Sequence, residues 1–192
     1  LLVNATRAGV TVDWGDGTPQ AYNSTTNGGV LEINGTLKGS EITIKAAKGW
    51  KMLAATGAGL TAVDLTKATE LRSLYLQDNA LTSINVANMA ELRDLNLANN
   101  QLTAIALNST KNPLIETLDL SNNPITATSF IYGQPNLRYL NLSGLDYNSL
   151  TLTKNVNLDA LLVADNALKT LTLTTPKDLS LIDVRGNNLE KI

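Results

Sequence analysis

From Trp50 onward, apolar residues return to the same places about every 21 residues, and a period of that length commits a chain to a stacked array of short units. With Leu71 as position 1, the stretch LRSLYLQDNALTSINV carries apolar residues at positions 1, 4, 6, 11, 14 and 16, and Asn79 at position 9. The next unit, LRDLNLANNQLTAIAL from Leu92, places Asn100 at position 9. Further units begin at Ile115, Leu137, Leu158 and Leu179, and a degenerate one, WKMLAATGAGLTAVDL, begins at Trp50. The seven starts are 21 to 23 residues apart.

Each part of the unit has a mechanical meaning. Positions 4 and 6 flank one outward residue, the alternation of a short strand. Stacked units then predict a parallel sheet with Leu74, Leu95, Leu118, Leu140 and Leu161 in one buried column, and with Ile182 and Val184 also pointing inward in the last unit. Position 9 falls where the chain turns away from the sheet. An Asn amide there can satisfy backbone groups that the turn leaves unpaired, which predicts a structural ladder of Asn79, Asn100, Asn123, Asn166 and Asn187. Ala58 and Leu145 fill that place in the first and fifth units, so those turns need another partner. Positions 14 and 16 alternate again (Val63/Leu65, Ile84/Val86, Ile105/Leu107, Leu150/Leu152, Leu171/Leu173), predicting a second short extended segment on the convex side and little helix. The fourth unit breaks this spacing at Thr128 and Phe130, and the insertion NSTKNP, Asn108 to Pro113, predicts a bulged loop ahead of it. One unit buries too few side chains to offset the ordering of its backbone, so stability comes from stacking.

The pattern LxxLxLxxNxL resembles the leucine-rich repeat and runs through residues 50–192. The fold expected is a mainly β leucine-rich-repeat solenoid of about seven repeats, with a parallel concave sheet. Residues 1–49 lack the repeat. They hold short alternating runs, GVTVDW, GVLEING and SEITIKA, separated by the turn signals GDGT, NGG and KGS. These predict a β-rich N-terminal cap, an antiparallel meander whose last strand, near Glu41 to Ala46, feeds directly into the Trp50 unit. Within it VDWGDGT, Val12 to Thr18, resembles the signature of PKD-type β-sandwich domains, which are extracellular modules. A WGDGT hairpin ahead of LTAVDL-type repeats looks like secreted or surface-anchored leucine-rich-repeat proteins of bacteria, of the Bacteroidetes kind. That resemblance implies an extracellular or cell-surface location, or a periplasmic one.

Composition narrows the chemistry. The chain has no Cys and no His, which removes thiol nucleophiles, disulfides, imidazole bases and the usual zinc ligands together. A net charge of -2 offers no electrostatic pull toward nucleic acid. No apolar run is long enough to insert into a membrane. The opening LLVNAT reads as a mature or trimmed chain. The stop at Ile192, position 14 of the seventh unit, predicts either a longer natural chain or end-to-end self-association through an uncapped coil.

By resemblance, the concave face is the ligand surface, and its outward residues fall at positions 3, 5 and 7. Tyr75 and Tyr139, two of only eight aromatics, lie there, with Asp94, Asn96 and Asp119 between them and Asn141 just beyond. Aromatic platforms with polar neighbours suit a protein hot spot or a sugar ring. The reading is a non-enzymatic module without cofactor that binds a protein, with a glycan-binding module or a passive spacer as alternatives. Asp13 and Asp16 are a candidate Ca²⁺ pair, against the plainer reading of a tight Asp-Gly hairpin turn. Arg72, Arg93 and Arg138 recur at position 2 and could form a basic row for an acidic partner, against the plainer reading of solvated ion-pair partners of Glu70, Glu91 or Glu116.

Overall fold

The computed structural model describes residues 2–6, 9–23, 27–36, 38–39, 42–46, 49–174 and 178–190. In chain order its strands are β1 (Leu2–Thr6), β2 (Gly9–Asp13), β3 (Gln20–Asn23), β4 (Asn27–Glu32), β5 (Thr43–Ala46), β6 (Trp50–Ala54), β7 (Ser73–Tyr75), β8 (Asp94–Asn96), β9 (Thr117–Asp119), β10 (Tyr139–Asn141), β11 (Ser149–Leu152), β12 (Ala160–Leu162), β13 (Thr170–Leu173) and β14 (Leu181–Asp183). β6, β7, β8, β9, β10, β12 and β14 pair in parallel and bound six turns of a solenoid. The register sets Leu53, Leu74, Leu95, Leu118, Leu140 and Leu161 side by side, and all six are fully buried. β14 is an edge strand; there Ile182, expected inside, is 41% exposed and Leu181 50%.

The position-9 asparagines hold the turns. Asn100 accepts from the Leu81 N–H at 3.0 Å through Oδ1 and donates through Nδ2 to the carbonyls of Leu76, Leu97 and Ala98. Asn79, Asn123, Asn166 and Asn187 repeat this arrangement, each taking the position-11 N–H and the position-6 carbonyl of the unit before it. Where position 9 is not Asn, the next unit supplies the missing acceptor. Asn79 Oδ1 takes Ala58 N–H, and Asn166 Oδ1 takes Leu145 N–H, each as a second donor.

The convex side differs from the expectation of a strand in every unit. Among the described residues, only β11 and β13 pair there, in parallel, over Ser149–Leu152 and Thr170–Leu173. In four units the residue at position 15 goes with the outcome, whereas Ala106 and Ser129 stand there in the third and fourth units. Asp64 and Asn85 accept the N–H two residues on, from Thr66 and Ala87, and turn the chain there. Thr151 and Thr172 stand at the same position in β11 and β13, and Thr favours extended backbone. The Asn108–Pro113 insertion winds into a tight turn instead of bulging: Asn108 Oδ1 accepts from Thr110 and Lys111 N–H, and Asn112 is buried against the Val86 and Met89 carbonyls. Among the described residues, the only helix is a single 3₁₀ turn, Ile131–Gly133, in the irregular fourth unit.

The first 49 residues are not one meander. β1 pairs antiparallel with β6, and β4 with β1, so they extend the solenoid sheet to nine strands. β3, β2 and β5 form a separate antiparallel sheet. The open edge of β6 is a pairing hazard that β1 removes. β5 therefore does not run on into β6 within one sheet; the chain changes layers between them, with Gly49 at φ +100°. The expected start of that strand, Glu41, lies outside the described residues. Val10, Val12, Ile42 and Ile44 alternate inward from β2 and β5 and join the same buried cluster as Trp50, Leu53 and Leu60.

Candidate functional site

The parallel ladder brings the outward residues into straight columns. Position 3 runs Ser73, Asp94, Thr117, Tyr139, Ala160, Leu181, and position 5 runs Tyr75, Asn96, Asp119, Asn141, Leu162, Asp183. From β7 to β12 each of these side chains is half-buried, flanked by neighbours on both sides. Tyr75 and Tyr139 stand three strands apart, roughly 14 Å at the usual strand spacing. They frame the patch and are too far apart to clasp one sugar ring.

Position 7 departs from the expectation in three of six units, while Gln77 and Ser143 are half-buried and Arg185 is exposed. Ala98, Ser121 and Ala164 are buried, because the chain is already leaving the sheet. The cause lies one residue on. Position 8 holds Gly57, Asp78, Asn99, Asn122, Gly144, Asp165 and Gly186, all with φ between 52° and 67°. Only Gly, Asn and Asp fill that column, and these are the residues that enter the left-handed region at least cost. That signal was legible in the sequence and marks the turn as strongly as position 9 does.

The turn recruits the polar position-5 residues as well. Asn96 Oδ1 accepts from Ala98 N–H at 3.0 Å, Asn141 Oδ1 from Ser143 N–H at 3.1 Å, and Asp183 Oδ1 from Arg185 N–H at 3.1 Å. Asp119 Oδ1 accepts from both Ser121 N–H and Ser121 Oγ, while its Oδ2 accepts from Asn141 Nδ2 at 3.1 Å. Asp94 Oδ2 accepts from Ser73 Oγ at 2.9 Å. Asn96, Asp119 and Asn141 thus have a structural duty in addition to any contact with a ligand. Burial, then the nearby charge of Asp119, pushes the Tyr139 phenol above its ordinary range.

Asp13 and Asp16 do not sit in a two-residue turn; six residues, 14–19, join β2 to β3. Asp13 Oδ1 accepts from Gly15 and Gly17 N–H at 2.9 and 3.1 Å. Asp16 Oδ1 accepts from Thr18, and its Oδ2 pairs with Lys38 Nζ at 2.7 Å. Lys38 first, then Thr18, holds the Asp16 carboxyl well below the usual carboxylate range. A cation at this turn would have to displace Lys38. Among the described residues no three acidic side chains gather as metal ligands.

On the edge that leads into the strands, Arg72 meets Glu91 at 4.0 Å, Arg93 meets Glu116, and Arg138 meets Asp159 at 2.6 Å. Glu70 pairs with Lys51 at 2.8 Å. Arg93–Glu116 and Arg138–Asp159 tie one unit to the next, and all four pairs lie on an exposed rim, where such contacts stabilise little.

The leucine-rich-repeat family profile matches residues 111–129. Among solved structures, the functional domain of InlJ from Listeria monocytogenes, described as including a cysteine ladder, is similar with a TM-score of 0.60 and 19% sequence identity. The likeness covers 74% of this chain and 36% of that one, so this chain spans about a third of its length. At that identity the likeness is one of fold. This chain has no Cys, and its own position-9 ladder is of asparagine. No curated protein matches the chain in sequence. The fold is a leucine-rich-repeat solenoid, an architecture that typically binds proteins and is generally not catalytic.

Proposed function

We propose that the chain is a non-enzymatic recognition module that holds a protein partner against its concave sheet. The observation that carries this reading is the register that sets Tyr75, Asp94, Asn96, Asp119, Tyr139 and Asn141 into one continuous patch on four adjacent strands. Their hydrogen bonds to the turn and to each other limit how much freedom they have left to lose on binding. Residues 1–49 serve as the cap and residues 50–192 as the presenting solenoid. The setting is extracellular, at a bacterial cell surface or in the periplasm, and rests on the VDWGDGT resemblance. The reading requires no cofactor, nucleic acid or membrane insertion. Self-association through the unpaired edge of β14 belongs to the same proposal, and light scattering that finds a monomer at every concentration would remove it.

The test blocks the face. Thr117→Trp fills the centre of the concave patch, and Thr151→Trp places the same bulk on the exposed side of β11. Protein and glycan arrays are probed with both variants and with Tyr75→Ala/Tyr139→Ala. Loss of a protein signal in the concave variants alone supports the reading. Equal signals from both tryptophan variants would defeat it, and hits confined to the glycan array would replace the protein partner with a carbohydrate.

A further inference from the structure

Taking the concave face as the docking surface, we infer that its partner is a protein segment bearing two basic side chains, arginine or lysine, received by the pairs Tyr75–Asp94 and Tyr139–Asp119. The inference rests on that reading of the face and adds the chemistry of what it holds.

The register defines the pairs. Tyr75 lies opposite Asn96, and Asp94 opposite Ser73, so Tyr75 and Asp94 are diagonal neighbours on β7 and β8. Tyr139 lies opposite Thr117, and Asp119 opposite Asn141, which makes Tyr139 and Asp119 diagonal neighbours on β9 and β10. Diagonal residues on one sheet face are about 7–8 Å apart, within reach of long and aromatic side chains. A phenol ring beside a carboxylate offers a cation both a π face and a counter-charge.

Charge is segregated across the molecule in the same sense. From Ser73 to Asp165, positions 3, 5, 7 and 8 hold Asp78, Asp94, Asp119 and Asp165 and no Lys or Arg. The arginines of those units stand at position 2 and face Glu91, Glu116 and Asp159. Arg185, in the last unit, is bonded to Asp183 through Nε and Nη2. An anionic partner would meet uncompensated repulsion on this face, whereas a cationic one meets complementary potential.

Spacing sets the geometry of the partner. The midpoints of the two pairs are two strands apart, roughly 10 Å. Two basic residues three apart in a polyproline II segment, which turns once every three residues, share one face and lie roughly 9 Å apart.

The probe is a capped peptide, Gly-Arg-Gly-Ser-Arg-Gly, titrated at low salt against the full chain and followed by amide and tyrosine-ring chemical shifts. Expected are saturable shifts on β7 to β10, at least tenfold weaker binding when Gln replaces both peptide arginines, and a similar loss in Asp94→Asn/Asp119→Asn. Asp64→Asn/Asp178→Asn removes the same charge away from the face and should change affinity less than twofold. Tyr75→Leu/Tyr139→Leu should weaken binding several-fold with all carboxylates in place. If the two Asp-to-Asn variants behave alike, or the shifts map to the Glu91 and Glu116 rim, the cationic inference is wrong. The array experiment keeps this separate from the underlying reading. A concave-only loss with Thr117→Trp leaves the docking face standing when the peptide fails, and no loss removes the face itself.

Discussion

Asn166→Ala should destabilise the chain more than Asn100→Ala, although both remove a ladder asparagine from a buried turn. In wild type, Asn100 Oδ1 accepts one N–H, from Leu81. The three carbonyls it reaches each keep a second donor without it: Leu76 from Asn79, Leu97 from Asn123, and Ala98 from Asp78 N–H. Its loss therefore orphans one buried donor, at about 1–3 kcal/mol. Asn166 is placed differently because Leu145, ahead of it, is not an asparagine. Its Oδ1 accepts from both Leu145 and Tyr147 N–H. Its Nδ2 is the only described donor to the Leu142 carbonyl, whereas Val163 and Ala164 keep Asn187 and Gly144 N–H. Two donors and one acceptor lose their partners, so the cost should reach about 3–6 kcal/mol after some local relaxation. Urea unfolding read by circular dichroism and by tryptophan fluorescence gives both values, provided the slope of the transition is unchanged between variants. Equal destabilisation by the two substitutions, within about 0.5 kcal/mol, would refute the idea that each asparagine serves the unit before it.

Three further outcomes follow from individual contacts. Gly144→Ala should lower the melting temperature, because φ is +67° and the new Cβ would lie 2.3 Å from Asn122 Oδ1; Gly57→Asn, at φ +59° with open space around it, should be nearly neutral. Arg185 beside it lowers the Asp183 carboxyl to about 2, so the stability this group contributes is present above its unfolded pKa near 4 and is lost as pH falls toward 2; carbon-detected titration should find that midpoint, and Arg185→Gln should move it up toward the ordinary range. Tyr147 is buried, donates from its hydroxyl to the Ala127 carbonyl at 3.2 Å, and has its phenol pushed up to about 12 by burial; Tyr147→Phe should cost about 1 kcal/mol in chemical unfolding, and ultraviolet titration of wild type should show one tyrosine ionising last.

The patch was legible as columns of residues but not as a hydrogen-bonded surface. Positions 3 and 5 follow from the period of a strand, so Tyr75, Asp94, Asn96, Asp119, Tyr139 and Asn141 could be placed on one face by counting. That Asn96, Asp119 and Asn141 also brace position 7 depends on the left-handed turn at position 8, whose Gly, Asn and Asp column carries the signal. The convex strands were over-read for a related reason. Alternating apolar residues mark what is buried and do not choose between strand and turn: Asp64 and Asn85 turn the chain between them, whereas Thr151 and Thr172 lie in paired strands.

Repetition explains which properties the chain spells out by itself. A contact made between equivalent residues of successive units is written once per unit, so the buried leucine column, the asparagine ladder and the parallel sheet can be read from the string of residues alone. The pairing of β1 with β6 and the division of the first 49 residues between two sheets each occur once. They depend on which sheet edge or backbone donor is left open when distant segments meet, and only the assembled tertiary structure decides that.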